Sequence, residues 1–153
     1  MQMNPIKKHK SVAMVGTIYK YLATGEDTGG AYALFESLVP PNDPGPPPHL
    51  HKNEDEGFYI LEGDFTFSLG DREYHLRTGD FIFLPRGIRH SYRNNADAVA
   101  RQLVLVNPSG FEKFFDAVGE PVEDDTKLPP PPSSEHIQKI IEEAPKFGIQ
   151  LFL

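Results

Sequence analysis

Four residues in the middle of the chain have the types and the spacing of a metal site. His49 and His51 are separated by one residue, Glu56 follows after four more, and His90 comes from a later segment. Because successive side chains of an extended strand point to opposite faces, His49 and His51 project from one face and can share one ion. Three imidazoles and one carboxylate suit one divalent transition metal ion, namely Fe, Mn, Ni, Co, Cu or Zn.

An open coordination position would make this centre catalytic rather than structural. Four protein ligands leave one or two positions open on a five- or six-coordinate ion, where water, dioxygen or a chelating enol or enolate can bind. Glu56 has a second role open to it, because a carboxylate that ligates weakly can accept a substrate proton. Such base catalysis contributes roughly 10²–10⁴-fold. Glu56 is therefore the candidate catalytic residue.

Two motifs in this region resemble those of the cupin superfamily. The first family motif is G-x5-H-x-H-x3–4-E-x6-G, and the chain has Asp43 in place of its leading Gly and then matches at His49, His51, Glu56 and Gly63. The second is G-x5-P-x-G-x2-H-x3-N, which is matched throughout by Gly79, Pro85, Gly87, His90 and Asn94. The resemblance covers roughly residues 30 to 115. It implies an all-β, cupin-type double-stranded β-helix (jelly-roll) barrel with metal at the three histidines and the glutamate.

Within the superfamily, the chain is similar to small single-domain bacterial cupins described as quercetinase-like. The similar stretches are Leu61-Glu62-Gly63 and Asn107-Pro108-Ser109-Gly110-Phe111-Glu112. This resemblance implies a metal-dependent dioxygenase, in which the metal and Glu56 activate an enediol or flavonol toward dioxygen. Metal-dependent isomerisation and decarboxylation are neighbouring chemistries.

Two alternatives to an enzyme stay open on the sequence alone. In one, the three histidines are hydrogen-bonded core residues of a metal-free barrel. In the other, metal and barrel hold a small ligand for sensing or storage, without catalysis. Metal is favoured because Glu56 would otherwise be a carboxylate buried without a partner, at a cost of several kcal/mol. The intact ligand set beside an aromatic-rich interior favours an enzyme acting on an aromatic or enolisable small molecule.

Composition limits the partners and the compartment. The chain has 153 residues, enough for one domain with a full core. It has no cysteine, which excludes disulfides and thiolate ligands, and its formal charge of −7 argues against nucleic acid or an anionic membrane as partner. No apolar run approaches the roughly 20 residues of a membrane-spanning helix. Three lysines precede the short apolar run 12–16, but this run continues into strand-like residues, which predicts a strand rather than a signal peptide and a cytoplasmic location.

The remaining pattern predicts an all-β architecture. Residues 12–22 and 31–39 are rich in strand-forming residues and are separated by a glycine-rich turn, and short strands alternate with turns from 58 to 105. Even spacing of strands and turns favours an antiparallel sandwich or barrel, which we assign to residues 12–108 of a single domain. Pro48 ends a proline-rich stretch and helps to deliver the first ligand in an extended conformation.

Two helices are predicted outside the barrel. Ser109 and Glu112 have capping-box spacing before an aromatic stripe, which predicts a helix over 109–119. An acidic proline-rich loop is predicted over 120–133, and a second helix with an apolar C-terminal segment over 134–153. We expect that segment to dock on the same chain or on a partner subunit. Together with the long N-terminal strands, it predicts a homodimer.

Three further histidines are not expected to bind metal. His75 lies on the polar face of a strand, His9 in a basic tail and His136 in the first turn of a helix.

Alternation carried outward from the ligands predicts the surroundings of the metal. Counting by twos from the glutamate places Phe58 and Ile60 on the metal-facing side, and counting from the last histidine ligand places Ile88 and Tyr92 there. Phe58, Ile60 and Tyr92 are the candidate substrate-binding residues, in a mostly apolar chamber suited to a flat or aromatic substrate. The alternative is that these residues form closed barrel core.

Overall fold

A computed structural model describes Pro5 and residues 10–153. The described residues form twelve strands, which are β1 (Ser11–Met14), β2 (Thr17–Ala23), β3 (Ala33–Val39), β4 (His49–His51), β5 (Asp55–Glu62), β6 (Asp64–Leu69), β7 (Arg72–Arg77), β8 (Phe81–Leu84), β9 (His90–Asn94), β10 (Ala100–Asn107), β11 (Glu120–Val122) and β12 (Ile149–Leu151). They build two antiparallel sheets. The seven-stranded sheet has the order β11-β1-β2-β3-β10-β5-β8, and the five-stranded sheet has the order β12-β4-β9-β6-β7.

The inner faces of the two sheets form one hydrophobic core. In β3, Ala33, Phe35 and Val39 point inward and are fully buried, while the residues between them lie partly exposed on the outer face, apart from inward-facing Ser37. The opposite sheet contributes Phe65 of β6, which is also fully buried. Alternation of this kind gives a strand one buried face and one more exposed face. The predicted all-β double-sheet barrel is confirmed.

In the described residues, three helices accompany the barrel. α1 (Gly25–Thr28) is a single helical turn within the predicted glycine-rich turn. α2 (Glu112–Val118) and α3 (Ser134–Glu143) follow the last long strand, and a 3-10 turn over Ala144–Phe147 follows α3. The aromatic residues of α2, Phe114 and Phe115, pack into the core. In the described part of the chain, none of the helices has the length and hydrophobicity that crossing a membrane requires.

The capping box predicted at the start of α2 is wrong. The N-cap position is Phe111 rather than Ser109, and no side chain caps it. The Glu112 carboxylate instead accepts hydrogen bonds from the backbone N–H groups of Gly110 and Gly25, at 2.8 and 3.0 Å. It therefore ties the start of α2 to the turn that carries α1.

The acidic proline-rich stretch after α2 is not loop throughout. Residues 120–122 form β11, which pairs with β1 at one edge of the seven-stranded sheet. An edge position tolerates Pro121, because a ladder hydrogen bond from its nitrogen is not needed there. The predicted loop is therefore replaced by a short strand at its beginning, since pairing with a distant strand outweighs a low local β propensity.

The apolar C-terminal segment pairs with the strand that carries the first two predicted ligands. β12 lies antiparallel to β4, with Ile149 opposite His51 and Leu151 opposite His49. The sequence predicts that this segment docks on the same chain or on a partner subunit, and the structure shows it on the same chain.

Candidate metal centre

The four predicted ligands lie together inside the barrel. His49 and His51 come from β4, Glu56 from β5 and His90 from β9. One ligand atom from each residue can be chosen so that all of them lie within 4.8 Å of one another. His49 is partly exposed and the other residues are buried. The structure therefore brings together the whole predicted ligand set.

Strand register places these side chains. His49 lies opposite His90 across β4 and β9, and their ring centroids are 4.5 Å apart. His51 projects from the same face of β4 as His49, and its ring stacks on that of His90 at 5.5 Å. Glu56 belongs to the other sheet, where β5 lies between β10 and β8. The cluster thus joins the two sheets.

Backbone carbonyls fix the tautomers of two imidazoles. Nδ1 of His49 lies 2.9 Å from the carbonyl oxygen of Pro47, and Nδ1 of His90 lies 3.1 Å from that of Ile88. A carbonyl oxygen can only accept, so each neutral ring donates from Nδ1 and keeps a lone pair on Nε2. This is the arrangement that metal-binding histidines commonly show.

The atoms at the centre of the cluster lack hydrogen bonds to any described residue. Oε2 of Glu56 lies 2.9 Å from Nε2 of His90 and 3.3 Å from Nε2 of His51, and all of these atoms are buried. Buried polar atoms without partners cost ~1–3 kcal/mol each. A cation between them would satisfy them together, so the donor set fits a divalent transition metal ion.

Burial and neighbouring charges set the protonation of the ligands. Burial raises the pKa of Glu56, but His51, His90 and His49 outweigh this effect and hold that pKa at about 2. Burial lowers the pKa of His49 to about 3, and the other two imidazoles add to the shift. Glu56 is therefore ionised and His49 neutral near neutral pH, which are the forms that bind a metal ion.

Glu54 is a buried carboxylate beside the cluster that the sequence analysis did not single out. Its Oε2 lies 3.6 Å from Nδ1 of His51, on the opposite side of the ring from Nε2. Burial opposes protonation of His51, but the carboxylates of Glu56 and Glu54 outweigh it and raise the pKa of His51. A carboxylate behind a metal-bound imidazole orients the ring and raises its basicity. Glu54 is placed to do this for His51.

A cavity of about 200 Å³ opens beside the ligands. Its walls are mostly apolar and include the aromatic rings of Phe58, Phe111 and Phe115, with Ile137 and Ile140 contributed by α3. The whole ligand set also lines it. A small molecule in this cavity would therefore lie against aromatic rings and the ligating atoms at the same time.

The residues predicted to face the metal, which include the three candidate substrate-binding residues, divide into two groups. Phe58 and Tyr92 line the cavity, whereas Ile60 and Ile88 do not. Ile60 shares the inward face of Phe58 but is fully buried in the core, two residues farther along β5. The expectation for Ile88 is wrong: it is 41% exposed, because it lies in the turn before β9, where strand alternation does not apply.

Three polar residues for which the sequence predicted no place in the chamber also line it, namely Thr17, Tyr19 and Asp43. The hydroxyl of Tyr19 lies 3.3 Å from that of Tyr92. Burial raises the pKa of Tyr19 to about 12 and the pKa of Tyr92 well above its ordinary value, so both phenols are protonated. Burial also raises the pKa of Asp43.

Gly45 supplies a close backbone approach in the loop where Asp43 replaces the motif glycine. Its φ is +78°, and a Cβ at this position would lie 1.6 Å from the carbonyl oxygen of Tyr92. Only glycine allows the loop to pack this closely against β9.

The two other described histidines lie apart from the cluster. His75 is exposed and bonds through Nε2 to Asp64. His136 is buried, with its Nε2 donating to the carbonyl oxygen of Val118 at 2.7 Å and its Nδ1 at 3.2 Å from Glu120. His136 thus joins α3 to α2 and β11. His9 lies outside the described residues.

Known proteins that are similar in sequence indicate the family to which this chain is related. Residues 35–106 match the family of cupin domains designated Cupin_2. The chain is 34% identical over 106 residues to quercetin 2,3-dioxygenase of Bacillus subtilis, an alignment that covers 69% of this chain and 31% of that protein. It is 29% identical over 131 residues to quercetin 2,3-dioxygenase of Aspergillus japonicus, covering 82% of this chain and 37% of that protein. The chain spans about a third of the length of these relatives.

The fold is similar to that of solved structures as well. The polyketide cyclase RemF from Streptomyces resistomycificus superposes with a TM-score of 0.57 at 25% identity, covering 71% of this chain and 80% of that chain. The two sheets and the histidine–glutamate cluster between them define a small β-barrel protein with a candidate metal centre. Together with the two sequence motifs and the matched domain, they show that the chain belongs to the cupin superfamily.

Proposed function

We propose that this cupin is a metal-dependent enzyme, a dioxygenase that acts on an aromatic or enolisable small molecule. One observation carries the proposal. His51, Glu56 and His90, whose central buried atoms lack hydrogen-bond partners among the described residues, line an apolar cavity whose other walls include aromatic rings. A purely structural metal site would be closed by protein ligands rather than open to such a cavity.

The ligand set would hold one divalent transition metal ion, which would act as a Lewis acid with one or two open coordination positions. Glu56 would accept the proton of a substrate hydroxyl. The imidazoles hold its pKa at about 2, so it is a weak base while it contacts them. Burial alone raises that pKa, so its proton affinity increases when the carboxylate turns from the imidazoles toward the apolar cavity.

The rings that line the cavity would hold a flat substrate and exclude bulk water. Phe58 packs against Phe67 and Tyr92, with ring centroids 5.3 and 5.8 Å apart, so its position is set by the core behind it. Such a wall favours substrates with a π-face.

The relatives support the proposal to different degrees. The two quercetin 2,3-dioxygenases support an oxygen-dependent reaction, although the chain spans only about a third of each. The similarity to RemF, a polyketide cyclase, favours a second candidate, a reaction at the same site other than oxygenation. Metal-dependent isomerisation and decarboxylation are the neighbouring chemistries in this class. A third candidate is a cupin that binds a small ligand at the metal without catalysis. A cytoplasmic location stays a prediction.

The test begins with elemental analysis of protein purified without added metal, which should show one transition metal ion per chain. Candidate enols are then added under anaerobic conditions, and oxygen uptake is followed after air is admitted. We expect oxygen consumption that depends on enol and metal. Substrate conversion without oxygen uptake would favour the second candidate, and spectral changes at the metal without any conversion would favour the third. His90→Ala is the control for the metal requirement.

A further inference from the structure

The cavity beside the candidate metal centre has a second polar end. Apart from the metal ligands, the polar side chains that line it in the described part of the chain are Thr17, Tyr19, Asp43 and Tyr92. The hydroxyls of Tyr19 and Tyr92 lie 3.3 Å apart. Asp43 lies beside them, because its carbonyl oxygen accepts from the N–H of Asn94, two residues beyond Tyr92 on β9, at 3.0 Å. We call Tyr19, Tyr92 and Asp43 the phenol end.

The phenol end has hydrogen-bonding capacity that the described residues do not use. The two tyrosines carry one O–H each, and the contact between them uses one of these hydrogens. The other O–H has no acceptor among the described residues and remains to donate into the cavity. Asp43 accepts from the N–H of Gly45 at Oδ2, at 3.1 Å, and its Oδ1 makes no hydrogen bond to a described residue. A donor and an acceptor together suit a ligand hydroxyl, which can accept the first bond and donate the second.

Strand geometry sets the distance between the phenol end and the metal ligands. Tyr92 follows His90 by two residues on β9, which separates their Cα atoms by ~7 Å along the strand. Phe58 follows Glu56 by two residues on β5, and its ring lies 5.8 Å from that of Tyr92. The space between the two polar ends is therefore walled by an aromatic ring and is about as long as one six-membered ring with its substituents.

The volume of the cavity agrees with a ligand of that size. It measures about 200 Å³. Sites for drug-sized molecules are larger, at roughly 300–1,000 Å³, whereas an apolar cavity of about 150 Å³ holds a benzene molecule. A single ring with small substituents fits, and a three-ring flavonol exceeds the space.

We propose that the substrate is a single-ring enol that carries a further hydroxyl group opposite its metal-binding oxygens, and that Tyr19, Tyr92 and Asp43 bind this hydroxyl. The proposal rests on the proposed function for the metal end of the cavity. It adds the size of the substrate and the position of its second polar group. Tyr19 and Tyr92 would thereby determine specificity without contacting the reacting atoms.

Two 4-pyranones form a matched pair of probes. Allomaltol and kojic acid share the same hydroxy-ketone pair and differ only at the carbon across the ring, which carries a methyl group in allomaltol and a hydroxymethyl group in kojic acid. Isothermal titration calorimetry on Zn²⁺-loaded protein measures both affinities without any turnover. We expect kojic acid to bind about 3- to 10-fold more tightly, the ratio given by one neutral hydrogen bond. 3-Hydroxyflavone, which carries a hydroxy-ketone pair on a larger skeleton, should bind at least about tenfold more weakly than allomaltol.

Variants of the two tyrosines test whether the preference for kojic acid over allomaltol depends on the phenol end. Tyr19→Phe and Tyr92→Phe should each reduce the preference for kojic acid, and the double variant should abolish it while its Zn²⁺ content stays unchanged. Tyr59→Phe is the matched control, because Tyr59 is 41% exposed and does not line the cavity. If the double variant does not fold, Tyr19→Phe alone decides, since Tyr19 lies on a different strand from every metal ligand.

The outcomes separate this inference from the proposed function. Equal affinities for the two pyranones, a preference that survives in the Tyr19 and Tyr92 variants, or tighter binding of 3-hydroxyflavone would overturn the inference and leave the metal centre intact. Pyranone binding that does not depend on Zn²⁺, or no pyranone binding at all, would count against the metal end and hence against the proposed function.

Discussion

Nε2 of His90 and Oε2 of Glu56 lie 2.9 Å apart across the two sheets, and neither atom has a hydrogen-bond partner among the described residues. The Nδ1 atom of His90 faces the carbonyl of Ile88, so a neutral His90 presents a lone pair to the carboxylate. Two acceptors at this distance repel each other unless a proton or a metal ion lies between them. Metal binding would therefore relieve a conflict in the folded protein, and we expect bound metal to raise its stability.

Removal of any histidine of the cluster should lower metal content. We expect His49→Ala, His51→Ala and His90→Ala to reduce the metal retained after purification by at least about tenfold, because each removes a ligating nitrogen. His75→Ala is the matched control, since His75 is exposed and bonds only to Asp64. Elemental analysis measures the outcome. Equal metal content in all of these variants would reject the ligand assignment.

Glu54 should tune metal affinity through His51. Its carboxylate faces Nδ1 of His51 at 3.6 Å, and loss of such a partner weakens metal binding by roughly 10–100-fold. We expect Glu54→Gln to weaken Zn²⁺ binding in this range, measured by competition with a chelator. Asp55→Asn is the control, because the neighbouring Asp55 bonds outward to Arg86. An unchanged affinity in Glu54→Gln would show that Glu54 has no part in orienting the ring.

The ligand set could be predicted because it depends on local strand geometry. Alternation alone puts His49 and His51 on one face, and the motif spacing identifies Glu56 and His90. Glu54 could not be assigned in this way, since it lies in the turn between β4 and β5, where alternation does not define direction. The same limit explains the error at Ile88, which precedes β9.

Residues whose position depends on the order of the strands in a sheet could not be placed from the sequence. Tyr19 reaches the cavity because β2 lies beside β3 in the seven-stranded sheet, an order that no local pattern specifies. β11 is a further case, since Pro121 argues against a strand until the edge position beside β1 is known. The fold class could be predicted because the even spacing of the strands and the two motifs both indicate an all-β barrel.

Metal affinity should depend on pH through His51. Burial opposes protonation of this ring, but Glu56 and Glu54 raise its pKa, so the metal-free ring keeps its proton to a higher pH than an ordinary imidazole. That proton must leave before Nε2 can bind an ion. We expect Zn²⁺ affinity to fall from about pH 8 to about pH 6, by up to about tenfold per pH unit for one proton. Zn²⁺ titrations across this range measure the slope, and a flat profile would contradict the assignment.

The raised pKa of His51 also determines how the stability of the metal-free fold changes with pH. A raised pKa in the folded state means that protonation of His51 stabilises it. This contribution is fully present below the pKa of the unfolded chain and is lost as the pH rises through the folded pKa. We expect Glu54→Gln to lessen this dependence of melting temperature on pH, because it removes one of the two carboxylates that raise the pKa.

The homodimer stays a prediction, but β8 suits its interface better than the C-terminal segment. The C-terminal segment already pairs with β4 of its own chain on one side. β8 lies at the edge of the seven-stranded sheet and exposes Phe81 and Phe83 by 60% and 54%. We expect a dimer by light scattering, and a monomer when Phe81 and Phe83 are both changed to Lys. Tyr74→Lys, on the other sheet, should stay dimeric, and a monomeric wild type would refute the prediction.

Phe58 should contribute to ligand binding more than to metal binding. It lines the cavity, and removing its ring enlarges a space that already exists, so we expect Phe58→Ala to keep its metal and to bind allomaltol several-fold more weakly. Phe65→Ala is the matched control, because Phe65 is fully buried and does not line the cavity. Loss of the Phe65 ring should destabilise the fold by roughly 3–5 kcal/mol and leave the affinity for allomaltol unchanged. Calorimetric titration and melting temperatures of both variants measure the difference. A large fall in the melting temperature of Phe58→Ala with unchanged affinity would show that Phe58 belongs to closed core.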